Sequence, residues 1–308
     1  MGKELVVIAG PTASGKSRLS VKLSKLLDGE VISCDSMQVY RHMDIGSAKI
    51  TKDEMEGIPH HMIDILEPYE EYNVMLFRDL ARKCINGIKE RKRFPVLCGG
   101  TGFYIQALIN DIDLADNEVD LTVRQKYEDM FDEYGMTYME RLLYSRDPES
   151  GRKYHGNRKR IIRALEYHEL TGRKLSEKNE MERSRKPLYD LAYYVLNLPR
   201  DILYERIDER VDRMMEEGLL DEVKALVDMG VKRDMTSMQG LGYRQLYDHL
   251  MGDMSLDEAV YEIKLQTRHF AKRQLTWFRR ERNVTWIDVD KYDKLDSIAE
   301  EIMETING

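Results

Sequence analysis

No apolar run in this chain approaches the ~20 residues that a helix needs to cross a bilayer. The first residues also lack a signal peptide's order of charged, apolar and small residues, because strand-like residues begin at once. Cysteine is scarce: Cys34, Cys84 and Cys98 stand far apart, with no C-x-x-C pair. That spacing argues against a disulfide framework and a cysteine-bound zinc site, and fits a reduced cytoplasmic compartment. Internal repeats and low-complexity tracts are missing. Positive charge is in deficit, with a net charge of −8, which on its face argues against a nucleic-acid partner. What is present is 34% charged and 42% hydrophobic residues over 308 positions. A soluble globular protein with a full core and two domains is expected.

The distribution of the cations changes the last exclusion. Residues 151–187 hold twelve Lys/Arg against five Asp/Glu, and residues 264–282 hold seven against one. Two basic islands on an acidic protein make either a local footprint for an anionic polymer or two solvated charged helices. Charge alone leaves both open.

Short runs rich in β-branched residues at 5–9, 31–34, 96–98, 192–198 and 284–289 read as buried strands. Between them lie helical spacings such as Leu19, Leu23, Leu26, Leu27 and Leu76, Leu80, Cys84, Ile88. Strands alternating with helices predict an α/β fold, a parallel sheet with helices on both faces. The alternation stops near Asp113. From there to about Asp190 only helices are expected. One runs through Val123, Tyr127, Met130 and Phe131 and is stopped by Gly135. A second centres on Met139, Leu142 and Leu143, and a third runs from an Asn157 cap to Gly172. On the third, Lys159, Arg160 and Arg163 share a face away from Ile161 and Leu165. The polar stretch 177–186 is expected to be a mobile loop. Residues 113–189 therefore read as a helical insertion in a core made of 1–112 and 190–308. After the returning strand, Arg206, Arg210 and Arg213 form a cationic stripe beside the apolar stripe Leu203, Ile207, Val211 and Met214. A last long helix is expected from the capping box Ser255-x-x-Glu258 to about Arg282.

Directly after the first strand stands Gly10-Pro11-Thr12-Ala13-Ser14-Gly15-Lys16-Ser17, which fits G-x-x-x-x-G-K-[ST]. Such a loop turns backbone N–H groups inward and sets the positive end of the next helix against a phosphate. Lys16 would reach the terminal phosphates and the Ser17 hydroxyl would ligate Mg²⁺. The pattern does not say whether the phosphate belongs to a nucleotide such as ATP. The second strand ends at Asp35, on the carboxyl rim where ligands of open α/β sheets sit. A carboxylate there could hold Mg²⁺ through water, take a proton from a nucleophile, or merely cap a turn. Met37, Gln38 and Tyr40, just beyond it, could line a base pocket. The third strand ends in Cys98-Gly99-Gly100-Thr101-Gly102, with glycines for close approach and a hydroxyl at the rim. No acidic residue follows it, where kinases and GTPases of this class carry their Mg²⁺ aspartate. The guanine reader N-K-x-D is also missing.

Further segments complete a pattern. They include Asp35-Ser36-Met37-Gln38-Val39-Tyr40, Met43-Asp44-Ile45-Gly46-Ser47-Ala48-Lys49, Pro59-His60-His61-Met62-Ile63-Asp64 and Gly99-Gly100-Thr101-Gly102-Phe103-Tyr104. Later come Arg160-Ile161-Ile162-Arg163-Ala164-Leu165-Glu166, Gly240-Leu241-Gly242-Tyr243-Arg244-Gln245 and Thr267-Arg268-His269-Phe270-Ala271-Lys272-Arg273-Gln274. In combination these resemble the bacterial tRNA dimethylallyltransferase (tRNA isopentenyltransferase) family, over roughly residues 3–290. The zinc-finger tail of eukaryotic relatives has no counterpart. The resemblance implies a P-loop NTPase-like core and transfer of a dimethylallyl group from dimethylallyl diphosphate to N6 of tRNA adenosine 37, 3′ of the anticodon. It implies Asp35 as the base, Thr101 as a positioning contact and Arg210 as a leaving-group partner. It implies diphosphate binding by Gly10, Pro11, Thr12, Ala13, Ser14, Gly15, Lys16 and Ser17, with Mg²⁺ on Ser17. It implies tRNA contacts at Asp35, Ser36, Met37, Gln38, Thr101 and Arg124, at Lys159, Arg160, Ile161, Ile162 and Arg163, and at Gly242 and Arg244. The partners expected are tRNA, through its anticodon stem-loop, and dimethylallyl diphosphate, bound by a cytoplasmic monomer with no membrane association. A small-molecule kinase and a non-catalytic RNA-binding module are the alternatives. His60 and His61 have no catalytic task in this reading, and structural hydrogen bonding is expected of them.

Overall fold

The structure, a computed structural model, describes residues 2–112 and 120–307. It divides into two compact units, Met1–Leu108 with Tyr189–Gly308, and Ile109–Leu188. The expected boundary at 113 lies outside the described residues.

The first unit opens with β1 (Leu5–Ala9), every residue of which is buried. Such a continuous apolar strand belongs to a sheet covered on both faces. The phosphate loop follows, and α1 (Lys16–Leu27) starts at Gly15, whose φ of 93° suits a residue without a Cβ. Then come β2 (Gly29–Ser33), the two-residue β3 (His60–His61), α2 (Val74–Glu90) capped by the Asn73 side chain, β4 (Phe94–Gly99) and α3 (Gly102–Ile109).

In the second unit α4 (Leu121–Arg146) is capped by Asp120 and broken by Gly135 at φ 73°, so its two halves carry the two expected apolar stripes. Asp147 caps the short α5 (Pro148–Lys153), and Asn157 caps α6 (Arg158–Thr171), which ends at left-handed Gly172. Tyr127, Phe131, Met139, Leu143, Ile161 and Leu165 make the core of this unit. The stretch expected to be a mobile loop is instead α7 (Leu175–Ser184). Polar contacts, not an apolar stripe, hold it. Ser176 donates both its N–H and its hydroxyl to Asp147, at 2.9 and 2.7 Å.

The chain returns through β5 (Leu191–Asn197) to α8 (Arg200–Glu216), α9 (Leu219–Asp228) and α10 (Tyr243–Leu250). Next is α11 (Leu256–Phe278), with the expected Ser255/Glu258 capping box formed. β6 (Thr285–Asp288) and an unexpected α12 (Leu295–Asn307) end the described chain. α12 packs on α1. Its buried Ile298, Ile302 and Ile306 follow helical spacing, each contributing about 2 kcal/mol.

The strand order is β3-β2-β4-β1-β5-β6, and every pair is parallel. This is the P-loop-like α/β fold expected. The carboxyl ends of β1, β2 and β4 lie side by side, with Ile8 beside Cys98 and Ser33 beside Cys98 in register. The loops that leave those ends therefore share one rim. Among the described residues no helix is long and apolar enough to cross a membrane.

Candidate active site

The rim loops enclose a cavity of about 380 Å³. From β1 it receives Thr12, Lys16 and Ser17. From β2 it receives Asp35, Ser36, Met37 and Gln38, and from β4 Thr101. Arg210 of α8, Gly242 at the start of α10 and Arg244 within it complete the gathering of the expected core residues. A second cavity, of about 590 Å³, is lined by Ala13, Ser14 and Gly15 of the loop and by Arg18, Arg206 and Arg213. Lys16, Ser17 and Arg210 line both. The shared cations place positive charge at the border of the two cavities, which suits an anion there.

Gly10, at φ 145°, sits so close to β5 that a Cβ would lie 2.8 Å from the Leu196 carbonyl oxygen. Pro11 accepts from the Ser14 hydroxyl at 2.8 Å and from the Lys16 ammonium at 2.6 Å. Burial, helped by the nearby Arg210 charge, lowers Lys16 to about 8. Burial likewise lowers Arg210, with Arg213 and Arg18 adding to the effect, and its Nη1 stands 3.5 Å from the Thr12 hydroxyl. Nearby carboxylates, Asp35 for Lys16 and Glu54 for Arg210, only partly offset that desolvation, so both cations gain from an incoming anion.

Asp35 is the opposite case. Burial raises its pKa, while N–H donation from Met37 at 2.8 Å and Gln38 at 3.3 Å and the charge of Lys16 pull it back. It therefore caps its own turn and still offers a carboxylate of enhanced basicity to the cavity. Gln38 accepts from Ser33 at 3.0 Å and donates to Ala48 at 3.2 Å, so its amide already holds the wall together. Tyr40 departs from expectation. It is fully buried, donates to the Glu70 carbonyl at 3.2 Å, and packs edge-on to Tyr72 instead of lining the cavity.

Two residues with no role in the sequence reading brace this site. Glu222 of α9 accepts from the N–H groups of Asp44, Ile45 and Gly46 at 2.8, 2.8 and 3.1 Å and from Tyr243 at 2.7 Å. It thereby fixes the wall at Gly46–Ser47–Ala48. Gln274 of α11 bridges Thr12 and Gly100. His61 meets Glu30 at 2.6 Å, and Arg91 donates to the same carboxylate twice, a structural triad as expected for that histidine. His60 lines the cavity and donates from Nδ1 to the Ile58 carbonyl, and burial lowers its pKa.

In the helical unit Lys159 and Arg160 are exposed, the latter over the Tyr154 ring at 5.8 Å. Arg163 and Arg124 converge on the fully buried Glu166, at 3.2 and 3.9 Å. Ile161 and Ile162 correct the expectation of tRNA contacts there. Each is 1% exposed, so their side chains serve the core and no surface. The basic island on α11 is likewise split. Lys264 and Arg268 are paired with Asp212 and Asp208, whereas exposed Lys272, Arg273 and Arg279 have no carboxylate partner among the described residues.

A resident metal has little to hold it. Among the described residues no group of three His, Cys, Asp or Glu could bind one. Ser17 and Asp35 nevertheless line the same cavity. Magnesium keeps several waters and takes one or two protein oxygens beside phosphate oxygens. The donor set fits an ion that arrives with a diphosphate.

A family model described as "IPP transferase" matches residues 38–281, and one described as "Isopentenyl transferase" matches residues 3–67. The chain belongs to the IPP transferase family. Two relatives in this family are named tRNA dimethylallyltransferase. That of Lachnoclostridium phytofermentans is 48% identical, and that of Carboxydothermus hydrogenoformans 49%, each over 98% of this chain and 97% of its own. Among solved structures, the full-length tRNA isopentenylpyrophosphate transferase of Bacillus halodurans is 46% identical. It aligns with a TM-score of 0.73 over 99% of this chain and 97% of its own. A eukaryotic dimethylallyltransferase acting on tRNA aligns with a TM-score of 0.78 at 31% identity, over 98% of this chain and 80% of its own.

Proposed function

We propose that this IPP transferase moves a dimethylallyl group from dimethylallyl diphosphate to N6 of adenosine 37 in tRNA. The observation that carries the reading is a carboxylate made basic by burial, sharing one cavity with desolvated cations on a phosphate loop. The C1–O bond of the allylic diphosphate breaks, and its electron pair leaves with the diphosphate. N6 bonds to C1, and its proton passes to Asp35. The N6 lone pair is delocalised into the ring, so a base that acts as bonding develops matters most. Lys16, Arg210 and the loop N–H groups of Ala13, Ser14 and Gly15 neutralise the leaving group. Mg²⁺, held by the Ser17 hydroxyl and diphosphate oxygens, would add positive charge there.

The adenosine must leave its stack to enter such a cavity. Ser36, Met37, Gln38, Thr101, Gly242 and Arg244 line it and are the contacts for the extruded nucleotide. Arg124, Lys159, Arg160 and Arg163 are assigned to the anticodon stem-loop, in keeping with their clustering in the helical unit. Residues 113–189 thus serve recognition of the anticodon stem-loop, and the rest holds the chemistry and the extruded nucleotide, in a cytoplasmic monomer.

Purified protein incubated with Mg²⁺, labelled dimethylallyl diphosphate and tRNA carrying unmodified adenosine 37 is expected to label the tRNA. Unlabelled tRNA together with consumption of ATP would replace this reading with a kinase.

A further inference from the structure

Ala13 of the phosphate loop stands at φ +63°, in the left-handed region that a residue with a Cβ resists. Backbone of that kind persists only where its surroundings hold it. The bonds of Ser14 and Lys16 to Pro11 lie within the loop. Arg210 reaches only the Thr12 side chain, at 3.5 Å, whereas Gln274, 262 residues away, holds the backbone, its Oε1 accepting the Thr12 N–H at 2.8 Å. The same amide donates from Nε2 to the Gly100 carbonyl at 3.0 Å. Gln274 is 7% exposed, and a Cβ on Gly100 would lie 2.1 Å from its Nε2, so the glycine makes room for the amide. The next residue, Thr101, sends its own N–H to the Cys34 carbonyl at 3.4 Å, one position before Asp35. One buried amide therefore spans the loops that follow β1 and β4, beside the end of β2.

We infer that Gln274 is a positioning residue that keeps the phosphate loop in its diphosphate-binding shape and fixes its spacing from Thr101. The inference rests on the reading of the cavity as a prenyl diphosphate site. Without the amide the Thr12 N–H loses its partner, Ala13 relaxes towards negative φ, and the following N–H groups turn from the phosphate. The exposed cations of the helical unit play no part in that change. The loss is thus selective for the diphosphate. Glutamate cannot substitute, because it cannot donate to Gly100 and it sets a negative charge beside the anion.

The test compares wild type with Gln274→Met, Gln274→Glu and Gly100→Ala, the last displacing the amide from its other side. Calorimetric binding of inorganic diphosphate and of dimethylallyl diphosphate with Mg²⁺ is read beside tRNA affinity and thermal midpoint. The expected result is diphosphate affinity weakened about ten- to thirtyfold, the worth of two buried hydrogen bonds, with tRNA affinity within twofold. Gln274→Glu should be the weakest binder. Wild type that binds no diphosphate overturns the reading of the cavity itself. Wild type that binds, with variants that bind equally well or lose tRNA affinity in parallel, overturns the role of Gln274 alone. Hydrogen exchange at the Thr12 amide of the ligand-free wild type decides the matter even if every variant unfolds. Slow exchange is expected, and exchange at the rate of an open loop contradicts the inference.

Discussion

Charged side chains are held in opposite ways in the two units. In the sheet unit Lys16, Arg210 and Asp35 are half-buried at the cavity, and desolvation is the leading cause of each pKa shift. In the helical unit Lys159 and Arg160 lie in solvent, and Arg124 and Arg163 rest on a carboxylate that is itself buried. Desolvated charge interacts strongly at short range and resists screening, which is what bond-breaking needs. Solvated charge interacts weakly and is salt-sensitive, which is what a reversible grip on RNA needs. The net charge of −8 hides this division, because it averages the two kinds.

The sharpest way to break the comparison is to remove a buried charge. Lys16→Ala should lower kcat by about 10²–10³, the scale of losing a preorganised electrostatic partner, while tRNA affinity stays near wild type. The same burial predicts a bell-shaped pH profile of kcat/KM for the diphosphate. The acid limb lies above the usual carboxylate range, because Asp35 must be deprotonated and burial raises its pKa. The alkaline limb falls near pH 8, where the free enzyme's Lys16 loses its proton. A flat profile between pH 5 and 9 would remove the electrostatic argument.

A smaller effect is expected from the braced wall. Glu222→Gln should raise KM for tRNA about tenfold and KM for the diphosphate less, because the wall it holds anchors Gln38, an assigned nucleotide contact, through the Ala48 carbonyl. Equal changes in the two constants would make Glu222 a general stability residue.

The smallest effects belong to the exposed cations. Lys159→Ala should weaken tRNA binding a few-fold and reduce the salt slope by about one. Its neighbour sharpens the contrast. Ile161→Ala should cost about 2–5 kcal/mol of stability, read by denaturant unfolding, because that side chain is core. A folded, fully stable Ile161→Ala protein that loses tRNA binding would return the residue to the RNA surface.

The phosphate loop, Asp35 and all strands but the two-residue β3 were legible in the sequence because each announces itself within a few residues. β1 is an unbroken apolar run, and the loop has a fixed spacing after it. Gln274 and Glu222 were not, because their partners stand 262 and up to 178 positions away and a lone Gln or Glu on a helix looks like surface. α7 escaped because hydrogen bonds to Asp147 hold it, and apolar periodicity does not register those. Ile161 shows a different limit. A segment matched to a family's RNA contacts contains core residues as well as contacting ones, and only burial separates them. α12 is another case again, since the spacing of Ile298, Ile302 and Ile306 stands plainly in the sequence.

The central claim is that a buried carboxylate takes the N6 proton while the phosphate loop holds the departing diphosphate. Single-turnover transfer of labelled dimethylallyl to tRNA by Asp35→Asn, with both substrates saturating, tests it most directly. The account predicts a rate lower by about 10²–10⁴ with tRNA affinity within twofold of wild type. A rate near wild type in the folded variant would contradict it.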